Sequence, residues 1–154
     1  MERPFRVLFV CLGNAIRSQM AEGFARRYGQ DVMIARSAGL TPASRVMPLT
    51  RKVMEEKNID LEDAYPKPIA DHGSEPFDLV VNISGIPLPA VQAPVREWTV
   101  KDPMGGREEA YRRAAGQIER LVMDLILELR RLRKKWADEF QDRGPSPRGE
   151  ARSS

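Results

Sequence analysis

The residues with the most chemical promise form one short run, Val10-Cys11-Leu12-Gly13-Asn14-Ala15-Ile16-Arg17-Ser18. A cysteine is followed six positions later by an arginine, with Gly13 and Asn14 between them. Both intervening residues tolerate unusual backbone angles, so the chain can close into a tight loop there. Such a loop aims successive backbone N–H groups at one point and makes an anion nest. A helix that starts where the loop ends adds the positive end of its dipole. Arg17 closes the bowl with a planar fork that matches two oxygens of a phosphate or similar oxyanion. Cys11 then lies in a positive field that favours its thiolate, the nucleophilic form. The Ser18 hydroxyl is placed to donate to that thiolate. A nucleotide-binding P-loop is excluded, because its Lys-Ser/Thr ending is absent.

Attack by Cys11 on a bound phosphorus ester needs a proton for the departing oxygen. Asp102, stiffened by Pro103 on the loop after the last strand, is the candidate acid. An Asp-Pro pair alone is an ordinary turn. It gains weight here because sheet topology brings such a loop to the carboxyl ends of the strands, beside Cys11.

The elements that must position these groups follow from periodicity. Phe5 to Val10 is a β-branched and aromatic run and predicts a buried strand. Cys11 to Ser18 is the loop, and Gln19 to Tyr28 a helix with Met20, Ala21, Phe24, Ala25 and Tyr28 on one face, stopped by Gly29. Further strands are expected at Val32–Ala38, Phe77–Ile83 and Val95–Val100. Pro48 opens a helix to Lys57. A long helix runs from Arg107 to Trp136 on an apolar stripe from Tyr111 to Trp136 at three-and-four spacing. Strands alternating with helices predict an α/β fold, a parallel sheet covered on both faces. Residues 1–140 form a single domain with a long C-terminal helix. Residues 141–154, rich in Gly, Pro, Ser and Arg from Arg143 on, are expected to be a disordered tail.

Composition narrows the chemistry. The chain has 154 residues, of which 42% are hydrophobic and 31% charged, enough for one core. It holds one cysteine and one histidine. That excludes an intramolecular disulfide, and falls short of a Cys/His zinc site, so no metal is assigned. No targeting segment or membrane span is read, so a cytoplasmic location is expected.

The run Val10–Ser18, with Met20-Ala21-Glu22, Ser37-Ala38-Gly39 and Asp102-Pro103, resembles the low-molecular-weight protein tyrosine phosphatase superfamily, which includes the related thioredoxin-type arsenate reductases. The resemblance covers roughly Phe5 to Arg130. It implies a four-stranded parallel sheet in three layers, flanked by helices, with no metal or organic cofactor. It implies Cys11 as nucleophile, Arg17 as oxyanion binder and Asp102 as general acid and then base. Leu12, Gly13, Asn14, Ala15, Ile16 and Ser18 would form the phosphate-binding loop, Asn14 holding it in a left-handed turn. Ser18 and Ser37 would belong to the polar network supporting the loop. A second cysteine often present within the loop is Ile16 here, which leaves Cys11 without that protective partner.

Gln19-Met20-Ala21-Glu22-Gly23, Pro66-Lys67-Pro68 and the spacing from Trp98 to Asp102-Pro103 look more like the arsenate reductase branch. That branch normally carries two further cysteines in a redox relay after the third strand. Val80 to Pro87 contains none, so reduction would need an external thiol. The phosphatase branch needs one cysteine, because water hydrolyses the phosphocysteine. Phosphotyrosine enzymes usually follow Asp-Pro with aromatic residues; here Met104, Gly105 and Gly106 follow, and Leu40 to Arg45 supplies no aromatic wall. The leading expectation is a Cys-dependent phosphomonoester hydrolase acting on a phosphorylated substrate or small oxyanion. An arsenate reductase using an external thiol is the alternative. A non-catalytic oxyanion-binding module is the third.

Elsewhere, His72 is expected to be a solvated loop residue. The basic run Arg130 to Lys135 reads as a solvated helix face rather than a nucleic-acid site, since Asp138, Glu139 and Asp142 balance it in part. Leu129, Leu132, Trp136 and Phe140 continue the apolar spacing and need a partner, either this domain or another chain, with a homodimer through the C-terminal helix as a secondary expectation.

Overall fold

A computed structural model describes residues 3–143. Four strands form one sheet: β1 (Phe5–Cys11), β2 (Met33–Gly39), β3 (Leu79–Asn82) and β4 (Val95–Glu97). All neighbours pair in parallel, in the order β2-β1-β3-β4. The helices are α1 (Arg17–Tyr28), α2 (Pro48–Glu55) and α3 (Glu108–Arg143), with a short 3₁₀ turn at Ile69–His72. This is the expected fold class.

The strand order explains where a ligand can sit. The chain leaves β1 toward β2 on one side and later returns to β3 on the other. The two connections diverge at the carboxyl end of β1, which opens the crevice where open α/β sheets bind their ligands. Cys11 is the last residue of β1, in register with Gly39 of β2.

Alternation along β1 divides the interior in two. Val7, Phe9 and Cys11 face the larger core, filled by Met20, Phe24, Val53, Met54, Ile118, Val122 and Ile126 from all three helices. Leu8 and Val10 face a smaller cluster with Ala38 and Val80. That second face is covered by Leu40, Ile69, Phe77, Leu88, Val91 and Ala93. Both faces are therefore covered, but the second cover consists of the 3₁₀ turn and irregular segments rather than an α-helix. The turn has no clear hydrophobic period, so the sequence pattern does not reveal it.

Element boundaries shift in ways with physical causes. Helix α1 begins at Arg17 rather than Gln19, so the arginine is part of the helix. Strand β4 stops at Glu97, because Trp98 and Val100 turn into the larger core. Helix α3 continues past Trp136 and past the domain boundary at 140, ending at Arg143; the rest of the expected tail lies outside the described residues. At 36 residues α3 is about 54 Å long. Among the described residues no helix is long and apolar enough to cross a membrane.

One close approach fixes the loop against the sheet. A Cβ on Gly39 would lie 2.9 Å from the nitrogen of Asn14, the carbonyl carbon of Gly13 and the oxygen of Leu12. All three are backbone atoms, so nothing can swing aside. Replacing Gly39 by alanine pushes the loop off β2, at a cost of about 1–3 kcal/mol typical of forced overpacking. Urea denaturation of Gly39→Ala against the parent checks this. An unchanged midpoint would mean that the loop gives way freely.

Candidate active site

The loop between β1 and α1 is held from outside by its carbonyls. Cys11, Leu12 and Gly13 accept from the backbone N–H groups of Leu40, Thr41 and Ala43. Ala15 accepts from the Met47 amide and from the Thr50 hydroxyl. The Asn14 carbonyl accepts from the Gln19 side chain at 3.1 Å. In a planar trans peptide the C=O and the following N–H point in opposite directions. Anchoring the carbonyls outward therefore turns amides toward the concave side. The N–H groups of Leu12, Gly13, Ala15 and Ile16 donate to no protein acceptor among the described residues. The N-cap of helix α1, Ile16, offers no side-chain cap to the helix's first amides. The result is a loop whose carbonyls are tied outward and whose amides at Leu12, Gly13, Ala15 and Ile16 have no protein acceptor among the described residues.

Asn14 makes the turn possible. Its φ is +51°, in the left-handed region where asparagine is tolerated, and it is fully buried. Its Oδ1 accepts from the backbone N–H of Lys67 at 3.0 Å, and its Nδ2 donates to Ser18 Oγ at 2.7 Å. These contacts fix every proton in the chain that follows. A backbone N–H can only donate, so Oδ1 is the acceptor and Nδ2 the donor. Ser18 Oγ thus accepts from Asn14 and turns its own hydrogen to Cys11 Sγ, 2.9 Å away. The Ser18 backbone N–H also points at the sulfur, at 3.4 Å. Two donors converge on Sγ, which holds the sulfur in place as a hydrogen-bond acceptor.

Arg17 is buried, with 6% of its surface exposed. Its Nη1 donates to the carbonyls of Ile83 at 2.8 Å, just past β3, and Val100 at 3.0 Å, on the loop after β4. Those bonds lock the guanidinium plane. Its Nη2 faces Asp102 Oδ2 at 3.4 Å. Asp102 is partly exposed, and its Oδ1 accepts from the Met104 amide, which sets the carboxylate at the mouth of the loop. Tyr111, on the first turn of α3, is buried close by. Burial and then the Asp102 charge push its phenol above the usual tyrosine range. Asp102, far from Cys11 and Arg17 in sequence, is therefore brought beside Arg17.

Two expectations need correction. The Ser37 hydroxyl does not reach the loop. It donates to the Glu22 carboxylate, which also pairs with Arg26, and so ties β2 to α1. His72 is not solvated: its ring nitrogen Nε2 lies 2.8 Å from the Ser37 carbonyl, and the ring packs edge-on against Phe77. The polar alternation around His72 hides the 3₁₀ turn that folds it inward.

Sequence reasoning also missed supports. Gln19 bridges Asn14 and the Tyr65 carbonyl, Thr50 holds Ala15, and the strap Tyr65–Pro68 lies along the end of β2. Burial pushes the Lys67 ammonium below the usual lysine range. Most of these contacts run through backbone atoms or join residues far apart in sequence, so no motif announces them. Among the described residues no group of three His, Cys, Asp or Glu side chains is placed to hold a metal ion.

Known proteins resemble this chain in sequence and fold. A glutaredoxin arsenate reductase from Synechocystis is 36% identical over 129 residues, spanning 80% of this chain and 98% of that protein. An arsenate reductase from Bacillus cereus is 32% identical, spanning 77% of this chain and 91% of its own length. A solved arsenate reductase in its phosphate-binding state superposes with a TM-score of 0.75 at 35% identity, over 81% of this chain and 98% of that one. An arginine phosphatase from Geobacillus stearothermophilus, at 22% identity and a TM-score of 0.73 over 86% of this chain and 97% of its own, shares the fold. Residues 6–136 match the family described as low molecular weight phosphotyrosine protein phosphatase, and the chain belongs to that family.

Proposed function

We propose that this protein is an arsenate reductase that takes its reducing equivalents from external thiols. The observation that carries the reading is a lone cysteine, bonded by Ser18, at the floor of a loop shaped for a tetrahedral oxyanion. The relatives named arsenate reductase, matched over nearly their whole length, favour arsenate over a phosphoester. They move the balance away from the hydrolase that the single cysteine first suggests. The rim agrees: Leu12 and Met104 are exposed aliphatic side chains, and neither offers a ring to stack on a phenol.

In the first step the Cys11 thiolate attacks arsenic, and an S–As bond forms while an As–O bond breaks. Loop amides and Arg17 hold the remaining oxygens, and Asp102 supplies the proton with which the departing oxygen leaves as water. An external thiolate then attacks Cys11 Sγ. The S–As pair stays on arsenic, which falls from As(V) to As(III) and departs as arsenite. Cys11 is left in a mixed disulfide. A second external thiol displaces it, giving a small disulfide and the free Cys11 thiolate. The sum is one arsenate and two thiols in, one arsenite, one disulfide and one water out.

A second reading, phosphomonoester hydrolysis, is favoured by one observation: with a single cysteine, water can complete the cycle unaided. The same preparation decides between them. With glutathione plus glutaredoxin, arsenate should drive the loss of two thiols per arsenite formed, and Cys11→Ser should reduce this to background. Aryl phosphate turnover without arsenate-dependent thiol loss under any thiol supply would favour the hydrolase.

The acid role of Asp102 has its own signature. Asp102→Asn should slow single-turnover formation of the arsenic adduct by about 10²–10⁴-fold. Phosphate binding should persist, because the loop amides do not depend on Asp102. An unchanged adduct rate would assign the proton to another group.

A further inference from the structure

We propose that Lys101 and Arg45 are the outer part of the oxyanion site, two uncompensated cations that draw a tetrahedral dianion into the mouth of the loop. Residues 12–16, 40–47, 83–94 and 98–107 leave the carboxyl ends of the four strands, where that mouth opens. The charged residues in these segments are Arg45, Lys101, Asp102 and Arg107. Asp102 is offset by its ion pair with Arg17. Arg107 is offset by Glu109 two residues on, while Glu108 between them is held by Lys52 and Arg112. Lys101 and Arg45 remain. Both are exposed, and neither has a carboxylate within ion-pair distance among the described residues. The carboxylates of Asp60, Glu62 and Asp63 line a groove along α1 that none of the four segments enters.

Backbone contacts place both charges whichever way the side chains turn. Lys101 lies between Val100, whose carbonyl accepts from Arg17, and Asp102, which pairs with Arg17. Arg45 lies between Ala43 and Met47, whose amides donate to the carbonyls of Gly13 and Ala15. Each cation is therefore on the order of 10 Å from an oxyanion in the loop, well inside the Debye length of about 30 Å at 0.01 M salt. At that distance in water, one unit charge changes the binding of a dianion by about fourfold before screening.

The loop alone is short of charge. Its amides are dipoles with no net charge, the start of α1 contributes only about half a positive charge, and Arg17 is shared with Asp102. A dianion seated there is balanced only when charge from outside the loop is counted. Lys101 and Arg45 supply it at no cost in burial, since both stay in water. The inference rests on the loop binding an oxyanion, the step that reduction and hydrolysis share.

Isothermal titration calorimetry of dianionic phosphate into the Cys11→Ser protein tests it. No turnover is needed, so the outcome is separate from that of the reductase reading. At about 0.01 M ionic strength, Lys101→Gln should weaken binding about threefold, and Lys101→Gln with Arg45→Gln about tenfold. At about 1 M salt, where the Debye length is about 3 Å, variants and parent should converge. Lys101→Arg should keep the parent affinity. Arg131→Gln should weaken binding less than Lys101→Gln, because its neighbour Arg130 is fixed to Asp31 at the amino end of the sheet. Unchanged affinity in the double variant overturns the proposal. So does a loss that persists at high salt, an equal loss from Arg131→Gln, or a Cys11→Ser protein that binds no phosphate.

Discussion

The site depends on one directed chain of hydrogen bonds. It starts at the Lys67 amide, passes through both ends of the Asn14 side chain, and reaches Cys11 through the Ser18 hydroxyl. Each link has a single allowed direction, because the chain begins at a backbone donor. Its net effect is to aim a proton at the sulfur without any titrating group. The same Asn14 holds the left-handed turn that makes the loop concave. Loop shape and the hydrogen bonding of the sulfur are therefore one device. Gly39 belongs to it as well, since only a residue without a side chain lets the loop lie on β2.

Much of this was legible in the sequence. The Cys11–Ser18 spacing implies a strand, a nest and a helix start, because each demands particular residue types at particular places. Asp102 could be named only because the nest made its loop relevant. What stayed hidden shares a physical character. Thr50 and the strap Tyr65–Pro68 act through backbone or solitary contacts, joined by chain reversals that leave no periodic trace. Ser37 looked like loop support by its place on β2, yet the hydroxyl takes the nearer carboxylate of Glu22. His72 sits in a polar stretch, and only the tertiary fold turns it inward.

The lone cysteine gains meaning from its surroundings. Cys11 is only 2% exposed, so chemistry reaches it through the loop mouth alone. The edge of Arg17 that faces Asp102 is the one turned to that mouth on the proposed reading, because Nη1 is held by the Ile83 and Val100 carbonyls. The end of β3 and the loop after β4 thus clamp the arginine beside the sheet's switch point. On the proposed reading the reductant approaches Cys11 from outside the chain, since the sequence holds no second cysteine.

The central claim is that the amides from Leu12 to Arg17 form a preorganised oxyanion bowl around Cys11. Backbone amide NMR of the Cys11→Ser protein, titrated with phosphate, measures this directly. Saturable shifts should concentrate on the amides of Leu12 to Ser18 and on the Arg17 guanidinium, with little change across α2 or the end of α3. Shifts spread over the basic helix surface, or none at the loop, would contradict the account.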